Sequence, residues 1–262
     1  MRKRSCCSKS APRGSEVAKK ERLDVLVQRQ TGLTRAKAQG LILAGSVFGP
    51  AGEVLDKPGL RLPEDTRLEI REEPRYVSRG GIKLEAALDH FQIDVTGVIA
   101  IDAGASTGGF TDCLLQRGAG RVYAVDVGYG QLAWKLRQDP RVVVLERTNI
   151  RNLTTDLIPE RADFFTADCS FISLQLVLPP IKGCLAPHAR GVVLIKPQFE
   201  AGKESVGKGG VVRDPLVQDR VVEEVVRAAQ GLGFTNRGVI PSPLLGPAGN
   251  REFLAYLALD GK

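Results

Sequence analysis

Residues 98–113 read Val-Ile-Ala-Ile-Asp-Ala-Gly-Ala-Ser-Thr-Gly-Gly-Phe-Thr-Asp-Cys, and this run indicates the architecture of the chain. The four apolar residues at its start predict a buried β-strand that ends at Asp102. A segment of glycine and other small residues follows, and it leads into the apolar spacing of an amphipathic helix. Small residues at such a turn let the backbone approach a bound ligand with no side chain in between.

A second apolar strand is predicted at residues 122–125, and it ends at Asp126. This acid lies 22 residues after Gly104, close to the spacing at which an acidic side chain meets the hydroxyl groups of a cofactor ribose. The order of strand, turn, helix, strand and acid predicts a nucleoside-containing cofactor at the carboxyl edge of a parallel sheet.

The spacing of the glycines indicates which cofactor this is. Dinucleotide-binding folds use Gly-x-Gly-x-x-Gly, whereas this chain has Gly104-x-x-x-Gly108-Gly109. It also lacks the Gly-Lys-Ser/Thr of nucleoside triphosphate loops. A turn without phosphate-binding residues favours S-adenosylmethionine (SAM), whose amino-acid end carries no phosphate. A dinucleotide and a turn that binds nothing remain as alternatives.

Charge is unevenly distributed along the 262 residues. Residues 1–76 contain 16 Lys and Arg against 10 Asp and Glu, whereas residues 77–262 contain 21 against 20. The basic excess of the N-terminal part predicts contact with a polyanion such as nucleic acid. A solvated basic tail would give the same composition.

The composition argues against several classes of protein. The five cysteines follow no pairing or zinc-site spacing and there are only two histidines, so we predict no metal site and expect a reducing compartment. No apolar run approaches the roughly 20 residues of a membrane span, and the basic start is not followed by the apolar core of a secretory signal. We therefore expect a cytoplasmic protein that does not contact a membrane.

The pattern along the chain predicts two domains. Residues 1–21 are polar and without period, which is typical of a disordered basic tail. Residues 22–71 predict a small α+β domain of two helices and short strands, and residues 72–77 predict a linker. In residues 78–262 strands alternate with helices, which predicts an α/β domain whose largely parallel sheet has helices on both faces.

The first domain resembles the S4 RNA-binding domain. The resemblance lies in Arg22-Leu-Asp-Val-Leu-Val, Gly32-Leu-Thr-Arg-Ala-Lys-Ala and Leu41-Ile-x-x-Gly-x-Val. Members of that family usually continue with Val-Asn-Gly, where this chain has Phe48-Gly49-Pro50, so the loop at this point is expected to differ.

The second domain resembles the FtsJ-like ribosomal-RNA 2′-O-methyltransferases, which have a Rossmann-like SAM-dependent methyltransferase sheet. The whole chain is similar to the TlyA (hemolysin A) family, which joins an S4 domain to such a body. The match runs from about residue 22 to 259. Its signature motifs begin at Arg75 (Arg-Tyr-Val-Ser-Arg-Gly-Gly-Ile-Lys-Leu), Asp102 (Asp-Ala-Gly-Ala-Ser-Thr-Gly-Gly-Phe), Asp168 (Asp-Cys-Ser-Phe-Ile-Ser-Leu), Leu194 (Leu-Ile-Lys-Pro-Gln-Phe-Glu), Gly207 (Gly-Lys-Gly-Gly-Val-Val-Arg-Asp) and Gly249 (Gly-Asn-Arg-Glu-Phe-Leu).

This resemblance implies SAM-dependent methylation of a ribose 2′-hydroxyl, at a cytidine, in the ribosomal RNA of subunits or whole ribosomes. It also implies a catalytic set of Lys83, Asp168, Lys196 and Glu252, all present in the family's order. It specifies neither the oligomeric state nor the nucleotide that is modified.

The four residues suit the chemistry, because a ribose hydroxyl is a weak acid and must lose its proton. Lysine can accept that proton only when neutral, and burial together with a second cation favours the neutral form. Lys196 follows an apolar strand, so we assign it as the proton acceptor or as the cation that stabilises the alkoxide. Asp168 would orient it, Lys83 would supply the second charge, and Glu252 would hold the ribose or a lysine.

Further residues are predicted to bind the ligands. Those expected to bind the cofactor are Asp102, Gly104, Ser106, Gly108, Gly109, Asp126, Asn149 and Asp168. Those expected to bind RNA are Arg22, Arg29, Arg35 and Lys37, and the last two would lie at the start of a helix, where phosphates also interact favourably with the helix dipole. Trp134 is interpreted as a packing residue.

Three rival functions remain open at this point. The family name suggests a secreted hemolysin, although the sequence contains neither a signal nor a membrane-active apolar stretch. An RNA-binding ribosome-assembly factor with an inactive methyltransferase body would have the same motifs. A dehydrogenase would bind NAD, but no His or Tyr stands out as its acid.

Overall fold

The computed structural model describes residues 19–43, 46–70 and 75–260. The chain divides into two compact units, residues 1–73 and 74–262. Each unit buries apolar residues of its own.

The N-terminal unit combines two helices with two small antiparallel sheets. The Thr34 side chain accepts a hydrogen bond from the Lys37 backbone N–H at 3.4 Å and so caps the second helix. Apolar residues that face inward form the core, namely Leu23, Val27, Ala38, Ile42, Val47 and Leu55. The helices are α1 (Leu23–Thr31) and α2 (Arg35–Leu43); strand β1 (Lys20–Arg22) pairs with β3 (Arg61–Pro63), and β2 (Val47–Phe48) pairs with β4 (Glu69–Ile70).

Two predicted boundaries need correction. Lys20 and Glu21 were assigned to the disordered tail, but they belong to β1, where they pair with residues of β3. Tyr76 was assigned to the linker, but it is 2% exposed and packs in the core of the C-terminal unit. Gly81 allows this packing, because a Cβ atom there would lie 2.2 Å from Tyr76 Cγ. Residues 1–18 of the predicted tail and 72–74 of the predicted linker lie outside the described residues.

The C-terminal unit is built on a seven-stranded sheet with the order β10-β11-β9-β8-β5-β6-β7. The five strands β5 to β9 are parallel, as the alternation of strands and helices predicts. The last two strands form an antiparallel hairpin that adds to the β9 edge. The strands are β5 (Ile99–Ala103), β6 (Arg121–Val125), β7 (Val142–Leu145), β8 (Ala162–Ala167), β9 (Leu185–Ile195), β10 (Phe234–Pro241) and β11 (Phe253–Leu259).

Helices cover both faces of this sheet. Successive residues of a strand point to opposite faces, so Phe165 packs under α6 and α8 while Phe164 packs under α3 and α4. The helices are α3 (Gly80–His90), α4 (Gly109–Gln116), α5 (Trp134–Arg137), α6 (Leu174–Gly183), α7 (Pro197–Glu200) and α8 (Pro215–Gly231). Among the described residues, none of the helices combines the length and the apolarity that crossing a bilayer would require.

Asp102 connects the centre of the sheet to the helix that follows it. Its carboxylate is fully buried and accepts hydrogen bonds from Thr111 Oγ1 of α4 at 2.6 Å and from Thr166 Oγ1 of β8 at 2.9 Å. Burial raises the pKa of Asp102 to about 6, although both hydroxyl groups favour the charged form. The carboxyl group therefore joins three elements below the turn at Gly104.

The raised pKa of Asp102 predicts a dependence of stability on pH. The folded state holds this proton up to about pH 6, whereas an unfolded aspartate releases it near pH 4, so the stabilisation is complete below pH 4 and is lost as the pH rises through 6. Between pH 5 and pH 8 the free energy of unfolding should fall by about 1–2 kcal/mol more in the wild type than in Asp102→Asn. Urea denaturation followed by circular dichroism measures this difference.

The exposed Asp219 provides a matched control. Asp219→Asn should keep the pH dependence of the wild type. An unchanged pH dependence in Asp102→Asn would contradict the assignment of the proton to this buried carboxyl group.

Candidate active site

The ends of the parallel strands bring the predicted site residues to one edge of the sheet. Gly104 follows β5, Asp126 follows β6, Asp168 follows β8 and Lys196 follows β9. All four strands run in the same direction, so their carboxyl ends form one rim. The sequence prediction placed the site at this edge for the same reason.

Lys196 contacts two side-chain oxygens, one through an ion pair and one through a hydrogen bond. The side chain is almost buried, at 8% exposure, and its Nζ lies 2.6 Å from Asp168 Oδ1. The same Nζ donates a hydrogen bond to Ser170 Oγ at 2.9 Å. A buried charge is tolerated only with such partners, so the Lys196 amine and the Asp168 carboxylate stabilise each other as an ion pair.

Lys83 and Glu252 form a second buried pair. Lys83 lies in the first turns of α3, and Glu252 directly precedes β11, which pairs with β9. Their exposures are 8% and 2%, and Lys83 Nζ donates to Glu252 Oε2 at 2.5 Å. Of the two roles predicted for Glu252, holding a lysine is therefore the one that this arrangement provides.

Both pairs line one small cavity of about 360 Å³. Its wall contains all four predicted catalytic residues, together with Gly104 and Ser106 of the turn after β5. The structure thus gathers two amines and two carboxylates from segments that are far apart in the sequence.

A larger cleft of about 860 Å³ adjoins this cavity. The two spaces share wall residues from the turn after β5 and from the loop after β8, namely Gly104, Ser106, Asp168 and Ser170. The large cleft is also lined by Asp126 and Asn149, two of the predicted cofactor ligands. A molecule in the large cleft therefore borders the small cavity.

The turn after β5 lies very close to the backbone of the loop after β8. Gly104 has a φ of +82°, and a Cβ atom there would lie 2.7 Å from the Asp168 carbonyl oxygen, so only glycine fits. Ser106 follows with its backbone N–H donating to Asp126 Oδ2 at 2.8 Å, and the Gly128 N–H donates to the other oxygen at 2.7 Å. These bonds orient the Asp126 carboxylate at the cleft wall.

Asn149 is also oriented by a local hydrogen bond. Its side-chain Oδ1 accepts from the Arg151 backbone N–H at 3.1 Å and so caps the short 3₁₀ helix Ile150–Asn152. Ile150 itself contributes an apolar wall to the large cleft.

Two predicted cofactor ligands, Asp102 and Gly108, line neither the cleft nor the cavity. Asp102 is fully buried beneath the turn. Gly108 is required for packing, because a Cβ atom there would lie 2.2 Å from Leu136 Cδ1. Gly109 borders the small cavity and also lets α3 and α4 approach, since its Cβ atom would lie 3.1 Å from Gly80 Cα. Direct cofactor contact by Asp102 and Gly108 stays a prediction, and in this structure both residues pack beneath or beside the turn.

Other site residues were missed by the sequence reasoning. Ser170 contacts Lys196, and Phe171 and Phe199 line the large cleft with ring centroids 5.0 Å apart. The sequence does contain a signal for two of them, because Ser170 and Phe171 come two and three residues after Asp168 within a quoted motif. Trp134 was predicted to pack but is 72% exposed, because α5 is a single turn that buries Leu136 instead.

Two of the three predicted RNA-binding arginines of the N-terminal unit, Arg22 and Arg35, share one buried carboxylate. Asp24 is fully buried, and it accepts from Arg22 Nε at 2.9 Å and from Arg35 Nε at 3.1 Å. The Arg22 hydrogen bond is the main cause that holds the pKa of Asp24 well below its usual range. Arg29 donates to the Glu64 carbonyl, and Lys37 is exposed. Asp24 therefore fixes two of the four cations.

The described residues contain no group of three or more His, Cys, Asp or Glu side chains that could hold a metal ion. Their three cysteines, Cys113, Cys169 and Cys184, are free thiols.

Comparisons with known proteins show the family to which the chain belongs. A family model described as FtsJ-like methyltransferase matches residues 76–259. Bacillus subtilis YqxC is 52% identical over 248 residues, which cover 94% of this chain and 88% of that protein. TlyA of Mycobacterium tuberculosis, named a 16S/23S rRNA (cytidine-2′-O)-methyltransferase, is 51% identical over 249 residues, which cover 92% of this chain and 91% of TlyA.

A solved structure extends the similarity to the fold. A hemolysin-named protein of Streptococcus thermophilus superposes with a TM-score of 0.71 at 46% identity, and the match covers 93% of this chain and 90% of that one. The family model spans most of the chain, and the relatives match nearly all of it. The chain therefore belongs to the FtsJ-like methyltransferase family and, within it, to the group of TlyA proteins.

Proposed function

We propose that this protein transfers a methyl group from SAM to the 2′-hydroxyl of a cytidine ribose in ribosomal RNA. The observation that carries the proposal is the small cavity, in which the Lys196–Asp168 and Lys83–Glu252 pairs lie beside a cleft of cofactor size. The names of the TlyA relatives supply the nucleotide and the class of RNA.

The large cleft fits SAM by the chemistry of its wall. Gly104 admits a ligand against the backbone, Asp126 presents a carboxylate to ribose hydroxyl groups, and Asn149 with Ile150 would border the adenine. When bound, SAM supplies a methyl group on a cationic sulfur. Ser106, which lines both spaces, would border the amino-acid end of SAM, close to the small cavity.

The residues of the small cavity would prepare the hydroxyl group. Lys196 Nζ takes up the proton of the ribose hydroxyl or, if already charged, stabilises the oxygen as it becomes anionic. In either case positive charge is present at Nζ during the reaction, and the Asp168 carboxylate at 2.6 Å stabilises it. Lys83 forms an ion pair with Glu252 at 2.5 Å, and this pair completes a wall that can hold the sugar in one orientation.

The N-terminal unit would bind the RNA backbone. Arg22 and Arg35 are held by Asp24 while large parts of their side chains stay exposed, 40% and 53% respectively. Arginines fixed in this way can meet phosphate oxygens without losing much side-chain entropy. Because the proposed substrate is ribosomal, we infer that the protein works in the cytoplasm.

Removal of the Lys196 amine should abolish the reaction. We expect Lys196→Ala to lower methyl transfer from labelled SAM to ribosomal particles by at least about 100-fold, because no other amine lies next to Asp168 in the described residues. RNA binding, measured by filter retention, should stay within about 2-fold of the wild type. Lys182→Ala is the control, because this exposed lysine lies outside both spaces. Transfer by Lys196→Ala at the wild-type rate would refute the mechanism.

Removal of two N-terminal cations should weaken RNA binding through its electrostatic part. For Arg35→Ala/Lys37→Ala in the full chain, we expect the slope of log K against log salt concentration to become shallower by about 1–2. A protein that makes fewer phosphate contacts releases fewer counterions when it binds RNA. SAM affinity, measured by calorimetry, should not change. Arg237→Ala, which removes an exposed arginine paired with Asp260, should leave the slope unaltered. An unchanged slope in the double variant would exclude these residues from the RNA-binding surface.

A further inference from the structure

Ser170 lies where the large cleft and the small cavity meet. It lies in the loop from β8 to α6 and lines both the large cleft and the small cavity. Its side chain is exposed, and its Oγ accepts the 2.9 Å hydrogen bond from Lys196 Nζ. Neither the sequence motifs nor the comparisons assign it a role.

The geometry of an amine explains why the hydrogen bond to Ser170 matters. Nitrogen in a lysine side chain has one bond to Cε and three further tetrahedral positions, which exchange by rotation about the Cε–Nζ bond. The ion pair with Asp168 Oδ1 at 2.6 Å does not have the angles of a hydrogen bond, so it attracts the amine without fixing this rotation. The hydrogen bond to Ser170 Oγ fixes one position and with it the directions of the other two. In a charged amine both of these carry an N–H, and in a neutral amine one of them carries the lone pair.

The loop that carries Ser170 is held at both ends. The Asp168 backbone N–H donates to the Ala103 carbonyl at 2.9 Å. At the other end, Ser173 Oγ and the Leu174 N–H donate to the two oxygens of Glu200, at 2.6 and 2.8 Å. Glu200 lies in α7, four residues after Lys196, so the segment that carries the amine and the loop that orients it are bonded together.

We propose that Ser170 is a positioning residue for Lys196, resting on the proposed function: its Oγ accepts one N–H of the amine and fixes the rotation about the Cε–Nζ bond, so that a remaining position of Nζ faces the ribose hydroxyl. Ser170 thereby affects the rate of proton removal, not the binding of SAM or RNA. Because Ser170 is exposed, its replacement leaves the core intact.

Steady-state methyl transfer by Ser170→Ala and Ser170→Thr tests this role. For Ser170→Ala we expect kcat to fall by about 10–100-fold, because a misplaced reacting group costs up to about 100-fold, while KM for SAM and for the ribosomal substrate stays within about 2-fold. Ser170→Thr keeps the hydroxyl group and should restore kcat to within about 3-fold of the wild type. Ser205→Ala is the matched control, because Ser205 lines neither space and contacts Arg220 instead.

The outcomes separate this inference from the proposed function. A normal kcat in Ser170→Ala, with an active wild type, would overturn the role of Ser170 and leave the proposed function standing. A raised KM at constant kcat would mean that Ser170 binds a ligand, and failure of Ser170→Thr to restore kcat would exclude the hydroxyl group; both results would also overturn it. A wild type that transfers no methyl group to ribosomal particles would refute the proposed function itself.

Discussion

The close approach of the turn at Gly104 to the backbone of Asp168 is the constraint on which the site depends. A Cβ atom at Gly104 would lie 2.7 Å from the Asp168 carbonyl oxygen, so the two loops touch through their main chains. This contact places the wall of the large cleft directly beside the carboxylate that pairs with Lys196. Asp102 supports the arrangement from below, because it bonds to α4 and to β8 at once.

The charges of the two buried pairs in the small cavity balance each other. Two lysines face two carboxylates at 2.5 and 2.6 Å, so the two pairs together carry no net charge. Arg79, which also lines the cavity, adds one positive charge at its wall. Removing one member of a buried pair would leave the other without a compensating charge, so the two members of each pair depend on each other.

The ends of the predicted strands were enough to predict part of the site. Asp126, Asp168 and Lys196 each come directly after an apolar strand, and parallel strands place such residues on one rim. The pairing of Lys83 with Glu252 could not be predicted in this way, since 169 residues separate them and Glu252 precedes an antiparallel strand. For these two residues only the resemblance to a known family indicated a place in the site.

The sequence by itself determined the order of strands and helices, the need for a glycine turn after β5 and the basic character of the N-terminal part, because periodicity, small residues and charge act locally. The tertiary structure decided which polar groups are buried and what they contact. It assigned Asp102 and Gly108 to packing beneath the turn, left Trp134 exposed and brought Ser170 to Lys196. These outcomes depend on contacts between distant segments, and such contacts arise only when the sheet and its helices have been assembled.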